Sequence, residues 1–274
     1  MELTKKLYIS ADIEGTAGID TWDETTLGEG TYSYFSEQMT REVSAAVTGA
    51  EAAGYASTVK DAHDSARNLR VAELPESAVT IRGWTRDLFC MMGGMDKEHF
   101  DAAAFTGYHS DALSEGNPLS HTMTTGVQAV FLNGKRASEF TLNAYMAAML
   151  EIPIVFLSGD AALCEAAREL VPGIVTVASK TGMGSAVSSR HPAVVCREIR
   201  QRMEEALAGL DDPAQKARCM LSMPEEFTLT VAYKDWNQAH RCSFYPGAVS
   251  LDAKTVSFTA KNYEDVMRFM HFCL

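Results

Sequence analysis

Two acidic residues come directly after the first predicted strand of the chain. The apolar run Leu7–Ala11 is typical of a buried strand, and Asp12 and Glu14 follow it just before Gly15. The two carboxylates lie on the same side of an extended segment, because side chains there alternate with a period of two. This spacing suits one metal ion, or a pair of ions that share a bridging carboxylate. The same residue types also occur in ordinary loops, where a carboxylate caps a helix.

Histidines follow two further predicted strands. His63 lies between Asp61 and Asp64, and either carboxylate could orient the imidazole ring. His109 comes shortly after Gly107, a residue that allows the backbone to approach a ligand closely. Imidazole and carboxylate together suit zinc, manganese or iron, and zinc is favoured for hydrolysis. Each histidine alone also fits an ordinary position in a surface loop or at a sheet edge.

A third histidine and a third acidic residue complete the candidate set. His121 lies in the polar stretch Ser120–Met123 and could be a base, a nucleophile, a transition-state stabiliser or simply a loop residue. Glu139 comes just before the predicted helix Leu142–Leu150, where the helix dipole alone also favours a carboxylate. The sequence has no HExxH, G-x-S-x-G or Walker A motif. Their absence argues against a zincin site, a serine hydrolase of the α/β type and a nucleotide-binding loop.

The predicted elements place these residues at one edge of a sheet. A helix that ends near Gly54 lies between strands Leu7–Ala11 and Ala56–Lys60, and this βαβ order predicts parallel strands. An open parallel sheet binds ligands at the carboxyl ends of its strands, so the residues after these strands should converge. Further strands are predicted at Ala78–Ile81, Ala102–Thr106, Ala129–Leu132, Ile152–Leu157, Ile174–Ala178, Phe227–Tyr233 and Val256–Ala260. Further helices are predicted at Leu142–Leu150, Ala161–Leu170, Pro192–Leu210 and Tyr263–Cys273.

We therefore predict an α/β fold with a mostly parallel sheet, flanking helices and a smaller C-terminal α+β portion. The run Asp211-Asp212-Pro213 breaks a long helix and marks a candidate boundary. Residues 1–210 would form the metal-binding catalytic α/β domain. Residues 211–274 would form the C-terminal portion of the same unit or a small subdomain.

Composition narrows the partners and the compartment. The chain has 274 residues and a formal net charge of −12, which argues against nucleic acid or an anionic membrane as a partner. Its six cysteines include no CxxC pair, which indicates reduced cysteines. The longest apolar runs, such as Ile152–Leu157, are far shorter than the ~20 residues that span a bilayer. With no signal segment at the start, we expect a cytoplasmic protein.

Five blocks of the chain carry the candidate residues: Tyr8–Gly15, Asp61–Asp64, Gly107–His109, Ser120–Met123, and Glu139 with Leu142–Tyr145. In this order they resemble the bacterial D-aminopeptidase family of dinuclear zinc metallopeptidases, which is associated with dipeptide-transport operons. The resemblance runs through most of the chain and is clearest from Leu7 to about Val177. Five blocks in the right order are far more specific than any one of them alone.

The resemblance implies a zinc-dependent aminopeptidase that hydrolyses short peptides from the N-terminus. It implies two zinc ions per subunit, bridged by Asp12, with His121 as the catalytic histidine beside them. By the same resemblance, Glu14 and His109 would hold one ion. His63 and Glu139 would hold the other. It further implies a decameric ring of identical subunits, with active sites facing an internal channel.

The residues themselves leave several functions open. The same site would serve a metal-dependent amidase acting on non-peptide amides, including cyclic amides. A non-catalytic metal- or peptide-binding protein would hold metal without turnover. A phosphoryl-transfer enzyme using Asp12 and a metal is disfavoured, because no phosphate-cradling loop or arginine cluster lies nearby. The sequence does not fix whether the preferred N-terminal residue is D or L.

Overall fold

The computed structural model describes residues 3–274, and the first layer of the fold is a large, mostly parallel sheet. The strands, numbered in chain order, are β1 (Lys5–Ala11), β2 (Tyr55–Asp61), β3 (Val79–Ile81), β4 (Ala102–Tyr108), β5 (Val127–Leu132), β6 (Lys135–Arg136), β7 (Ile154–Asp160), β8 (Val175–Met183), β9 (Ala186–Ser189), β10 (Phe227–Tyr233), β11 (Val249–Ser250) and β12 (Thr255–Ala260). The α-helices are α1 (Tyr32–Ala52), α2 (Glu139–Met149), α3 (Ala161–Leu170), α4 (Pro192–Ala208), α5 (Pro213–Arg218), α6 (Trp236–Cys242) and α7 (Tyr263–Cys273).

The first sheet has the strand order β3-β2-β1-β4-β7-β8-β9, and every pair except β8-β9 is parallel. The central strands are almost wholly apolar, as expected for a parallel sheet that is covered on both faces. Leu7 and Ile9 of β1 point to the face covered by α1 and α4. Tyr8 points to the opposite face, which α2, α3 and the second sheet cover. The predicted α/β class is thereby confirmed.

The second sheet is antiparallel and has the strand order β11-β12-β10-β5-β6. Asn133 and Gly134 turn the β5–β6 hairpin with φ angles of +49° and +76°, as the Asn-Gly dipeptide predicts. The predicted strand Ala129–Leu132 therefore belongs to this sheet and not to the parallel one. The sheet combines strands from both sides of the predicted boundary at residue 211, and the division of the chain at that point stays a prediction.

Several short elements carry too little periodicity to be predicted. They include α5, α6, β6, β9 and β11. Thr181–Ser185, which resembles a phosphate loop only loosely, is the end of β8 and the turn into β9. Among the helices of residues 3–274, none combines the length and apolar character that a membrane span requires.

Candidate metal centre

The ends of three neighbouring strands bring the candidate residues together. Strand β1 lies between β2 and β4, and both partners run parallel to it, so the carboxyl ends of all three strands meet at one edge. Asp12 follows the central strand. His63 Nδ1 approaches Asp12 Oδ1 to 3.3 Å from one side, and His109 Nε2 approaches Asp12 Oδ2 to 3.6 Å from the other. All three side chains are buried.

One metal-competent group consists of Glu14, His109 and His121, and two further overlapping groups share Asp12. Of these two, one is Asp12, Glu14 and His63, with His63 Nδ1 3.1 Å from Glu14 Oε2. The other is Asp12, His109 and Glu139, with His109 Nε2 3.5 Å from Glu139 Oε2. Within each group the potential ligand atoms lie within 4.8 Å of one another. The group with His121 contains Glu14 and His109, the pair that the resemblance assigns to one ion, and this assignment stays a prediction.

Backbone carbonyls fix which ring nitrogen faces the carboxylates. His63 Nε2 lies 3.0 Å from the Thr25 oxygen, and His109 Nδ1 lies 2.9 Å from the Ser110 oxygen. Because a carbonyl only accepts, these nitrogens carry the hydrogens, and the opposite nitrogens are free to bind a metal. The predicted role of Asp61 or Asp64 in orienting His63 is not observed among the described residues, since Thr25 takes that hydrogen bond.

Several buried polar atoms at this point have no hydrogen-bond partner among the described residues. They are Asp12 Oδ2, Glu14 Oε2 and His109 Nε2. Buried polar atoms are otherwise almost always paired, so this cluster indicates a ligand that satisfies all of them. Carboxylate oxygens with imidazole nitrogens are a donor set that zinc accepts. The residues present therefore fit the metal that the resemblance implies.

Burial and close contact shift the pKa values of these groups. Burial, together with the charge of Glu14, raises the pKa of Asp12 well above its usual range. Burial also opposes the charged form of Glu14, but the neighbouring His63 outweighs it and holds the pKa of Glu14 well below its usual range. Burial opposes protonation of His109, yet Glu139 beside it raises the pKa of His109 to about 10. A bound cation would take the place of these protons.

The loop that carries Glu14 is fixed by close backbone contacts and buried donors. A Cβ on Gly15 would lie 1.8 Å from the Tyr108 oxygen, and one on Gly107 would lie 2.2 Å from the Asp12 oxygen. Gly107 thus allows close contact with the neighbouring backbone. Asn117 Nδ2 donates to the Glu14 carbonyl at 2.9 Å.

Lys180 of β8 also donates to the Glu14 carbonyl, and burial lowers the pKa of this lysine to about 8. Its ammonium makes a second hydrogen bond, to the Ile19 carbonyl at 2.6 Å. Lys180 therefore fixes the loop at two points. Sequence reasoning missed it, because a single lysine in a predicted strand carries no signal of this contact.

His121 lies beside the cluster and faces the cavity above it. Its Nδ1 lies 2.9 Å from the Leu119 oxygen and its Nε2 lies 3.4 Å from Glu139 Oε1. The ring stacks on His109 with centroids 4.3 Å apart, and the Trp22 ring meets it edge-on at 5.4 Å. The side chain of His121 is 14% exposed, so a ligand in the cavity can reach it.

The cluster opens into a cavity of about 460 Å³. Four of the candidate metal ligands line it: Asp12, Glu14, His63 and Glu139. The lining also contains aromatic and sulfur-containing residues that sequence reasoning missed: Trp22, Trp84, Cys90, Met91 and Met123. These residues come from loops without helical or strand periodicity. One signal in the sequence could have indicated a cavity residue: Trp22 lies in the segment that follows Glu14.

Comparisons with known proteins agree with this geometry. A model of the D-aminopeptidase family matches residues 5–272. A D-aminopeptidase of Bacillus subtilis (strain 168) is 31% identical over 270 residues, covering 97% of this chain and 95% of the relative. A solved structure, described as the Zn-dependent D-aminopeptidase DppA from Bacillus subtilis, a self-compartmentalizing protease, has a TM-score of 0.87. It is 30% identical and the alignment covers 97% of this chain and 95% of that one. The chain belongs to the D-aminopeptidase family.

Proposed function

We propose that the protein is a zinc-dependent aminopeptidase that removes N-terminal residues from short peptides. The observation that carries this proposal is the pair of metal-competent groups that share Asp12 at the floor of the cavity. The family and the Zn-dependent relative support the metal and the reaction class. The family's description also makes a D-residue the first candidate for the N-terminal position.

The strand order suggests how the chain holds two zinc ions. Asp12, on the central strand, would bridge them. As the resemblance implies, Glu14 and His109 would complete one site, and His63 and Glu139 would complete the other; Glu14 and His109 lie in one metal-competent group. When bound, zinc acts as a Lewis acid on the scissile carbonyl and makes water a stronger nucleophile near neutral pH.

His121 is the group that moves protons in this proposal. Its Nδ1–H donates to the Leu119 carbonyl, which leaves Nε2 as the acceptor in the neutral ring. Nε2 can then take a proton from the attacking water and return it to the departing amine. Stacking on His109 and the edge-on contact with Trp22 hold the His121 ring in place for both transfers.

We also propose a ring of identical subunits, decameric as in the family that the sequence resembles, with a cytoplasmic location. The description of the relative as self-compartmentalizing supports an assembly in which the active sites face an enclosed space. The net charge of −12 supports peptides rather than nucleic acid or an anionic membrane as the partner.

The test combines metal content with hydrolysis of D-Ala- and L-Ala-headed short peptides by one purified sample. About two zinc ions per chain and release of the N-terminal residue are expected, with the D/L ratio giving the stereochemistry. Two metals with cleavage only of N-blocked amides would overturn the aminopeptidase in favour of an amidase. A chain that binds no metal at any supplied concentration would overturn the proposal.

A further inference from the structure

One carboxylate in the cavity has no place in the metal groups. The cavity lining contains the carboxylates of Asp12, Glu14, Glu139 and Asp64, and the first three belong to the groups described above. Among the described residues, no lysine or arginine lines the cavity. Asp64 therefore lines the space where a substrate binds, and no lysine or arginine of the described residues shares that lining.

Asp64 differs sharply from its neighbour Asp61. Asp61 is fully buried, and its carboxylate accepts hydrogen bonds from Asn68 N, Asn68 Nδ2 and Leu69 N at 2.6 to 2.8 Å. The Asp64 side chain is exposed and, within residues 3–274, makes no hydrogen bond or ion pair. Lys60, a buried cation of β2, donates to the carbonyls of Asp61 and Gly83 instead. Asp61 thus stabilises the fold, whereas the acceptor capacity of Asp64 is unused.

The backbone of Asp64 is held on both sides. Its φ of +38° lies in the left-handed region, which costs energy for a residue other than glycine. The Trp84 indole donates to the Asp64 carbonyl at 2.6 Å, and Ala66 N donates to the His63 carbonyl at 2.7 Å. The chain therefore fixes an unpaired carboxylate at the wall of the cavity, directly after a candidate metal ligand.

We infer that Asp64 binds the free α-ammonium group of the substrate peptide. This inference rests on the proposed aminopeptidase function and names how the enzyme selects an unblocked N-terminus. The α-nitrogen of a peptide lies two bonds from its scissile carbonyl carbon, and the Cα atoms of His63 and Asp64 are about 3.8 Å apart. Among the described aspartates and glutamates that line the cavity, Asp64 is the one outside the metal groups, so an ammonium group near the metal cluster would meet it.

The test uses two hydroxamates that differ only in the α-amino group. Alanine hydroxamate, in the enantiomer that binds the wild type more tightly, is compared with propionohydroxamate by calorimetry on the zinc-loaded full chain. Asp64→Asn keeps the shape of the side chain, removes its charge and suits the left-handed backbone. We expect its affinity for alanine hydroxamate to fall about 10- to 100-fold, because a charge-assisted hydrogen bond is lost. Its affinity for propionohydroxamate should not change.

Matched variants separate this inference from a structural effect. Asp64→Glu should recover part of the preference for the amino compound, and Asp96→Asn, a change outside the cavity, should leave both affinities unchanged. An equal loss of affinity for both hydroxamates in Asp64→Asn, or no loss for either, would overturn the inference. Failure of the proposed function would appear differently, as a wild type that binds hydroxamates but releases no N-terminal residue from peptides.

Discussion

The two sheets supply the metal centre in different ways. The parallel sheet supplies Asp12, Glu14, His63 and His109 from the ends of adjacent strands, whose register is fixed by backbone hydrogen bonds. His121 and Glu139 lie on either side of the β5–β6 hairpin, in the segments that join the two sheets. Their position therefore depends on how the second sheet packs on the first.

Contacts within the joining segments connect His121 and Glu139 to each other and to the rest of the centre. Glu139 is the first residue of α2, whose N-cap Ser138 accepts from Thr141 N. The carboxylate of Glu139 also accepts from Met123 N at 2.7 Å, which links the His121 loop to the helix. We therefore expect the strand-end residues, together with Glu139 from the joining segments, to control metal binding, and His121 to control turnover.

The largest expected effect comes from removing the shared carboxylate. Asp12→Ala should lose both metals, since each of the two groups depends on this residue. Hydrolysis should then fall by at least about 1,000-fold, because the Lewis acid is lost with the metals. Metal analysis and kcat/KM on the same sample measure both effects, with Asp96→Ala as a surface control. Retention of two zinc ions by Asp12→Ala would contradict the bridging role.

A smaller effect, confined to turnover, is expected at His121. His121→Ala should keep its full metal content and lose about 100- to 10,000-fold in kcat, the usual contribution of a positioned proton carrier. His99→Ala, which removes an exposed histidine, is the matched control. If His121→Ala turned over peptides at the wild-type rate, His121 would have no part in the reaction. If His121→Ala lost metal, the assignment of His121 to turnover and not to metal binding would be wrong.

The difference between strand ends and joining segments also explains which parts of the centre the sequence could predict. The runs that become β1, β2 and β4 are short, and β1 and β4 are largely apolar. The rule for parallel strand ends then places Asp12, His63 and His109 together. The position of Glu139 relative to His109 follows from the packing of the second sheet, which no local pattern encodes. The same holds for Trp22 and Trp84, whose loops have no periodicity. Which residues meet at the strand ends could therefore be predicted from the sequence, whereas contacts that depend on tertiary packing could not.

The smallest expected effect tests how the loop after β1 is held. Glu42 of α1 is fully buried, and its Oε1 accepts from Ala17 N at 3.0 Å and from Gln38 Nε2 at 3.1 Å. Its Oε2 has no partner among the described residues. Burial raises the pKa of Glu42 to about 7 from its ordinary value of 4.5. The loop after β1 should therefore receive from Glu42 a contribution to stability that depends on pH.

The sign follows from proton uptake. Between pH 4.5 and about 7 the folded state keeps the Glu42 proton that the unfolded state has released, so stability from this group falls as pH rises through that window. The total loss is at most about 3 kcal/mol. Glu42→Gln should remove this dependence. Urea unfolding of metal-free protein at pH 5 and pH 8 should show the variant gaining on the wild type at the higher pH. Glu204→Gln, an exposed change on α4, should show no such gain.

Parallel curves for wild type and Glu42→Gln would mean that Glu42 is ionised in the folded state at both pH values. The loop after β1 would then be held without a buried proton.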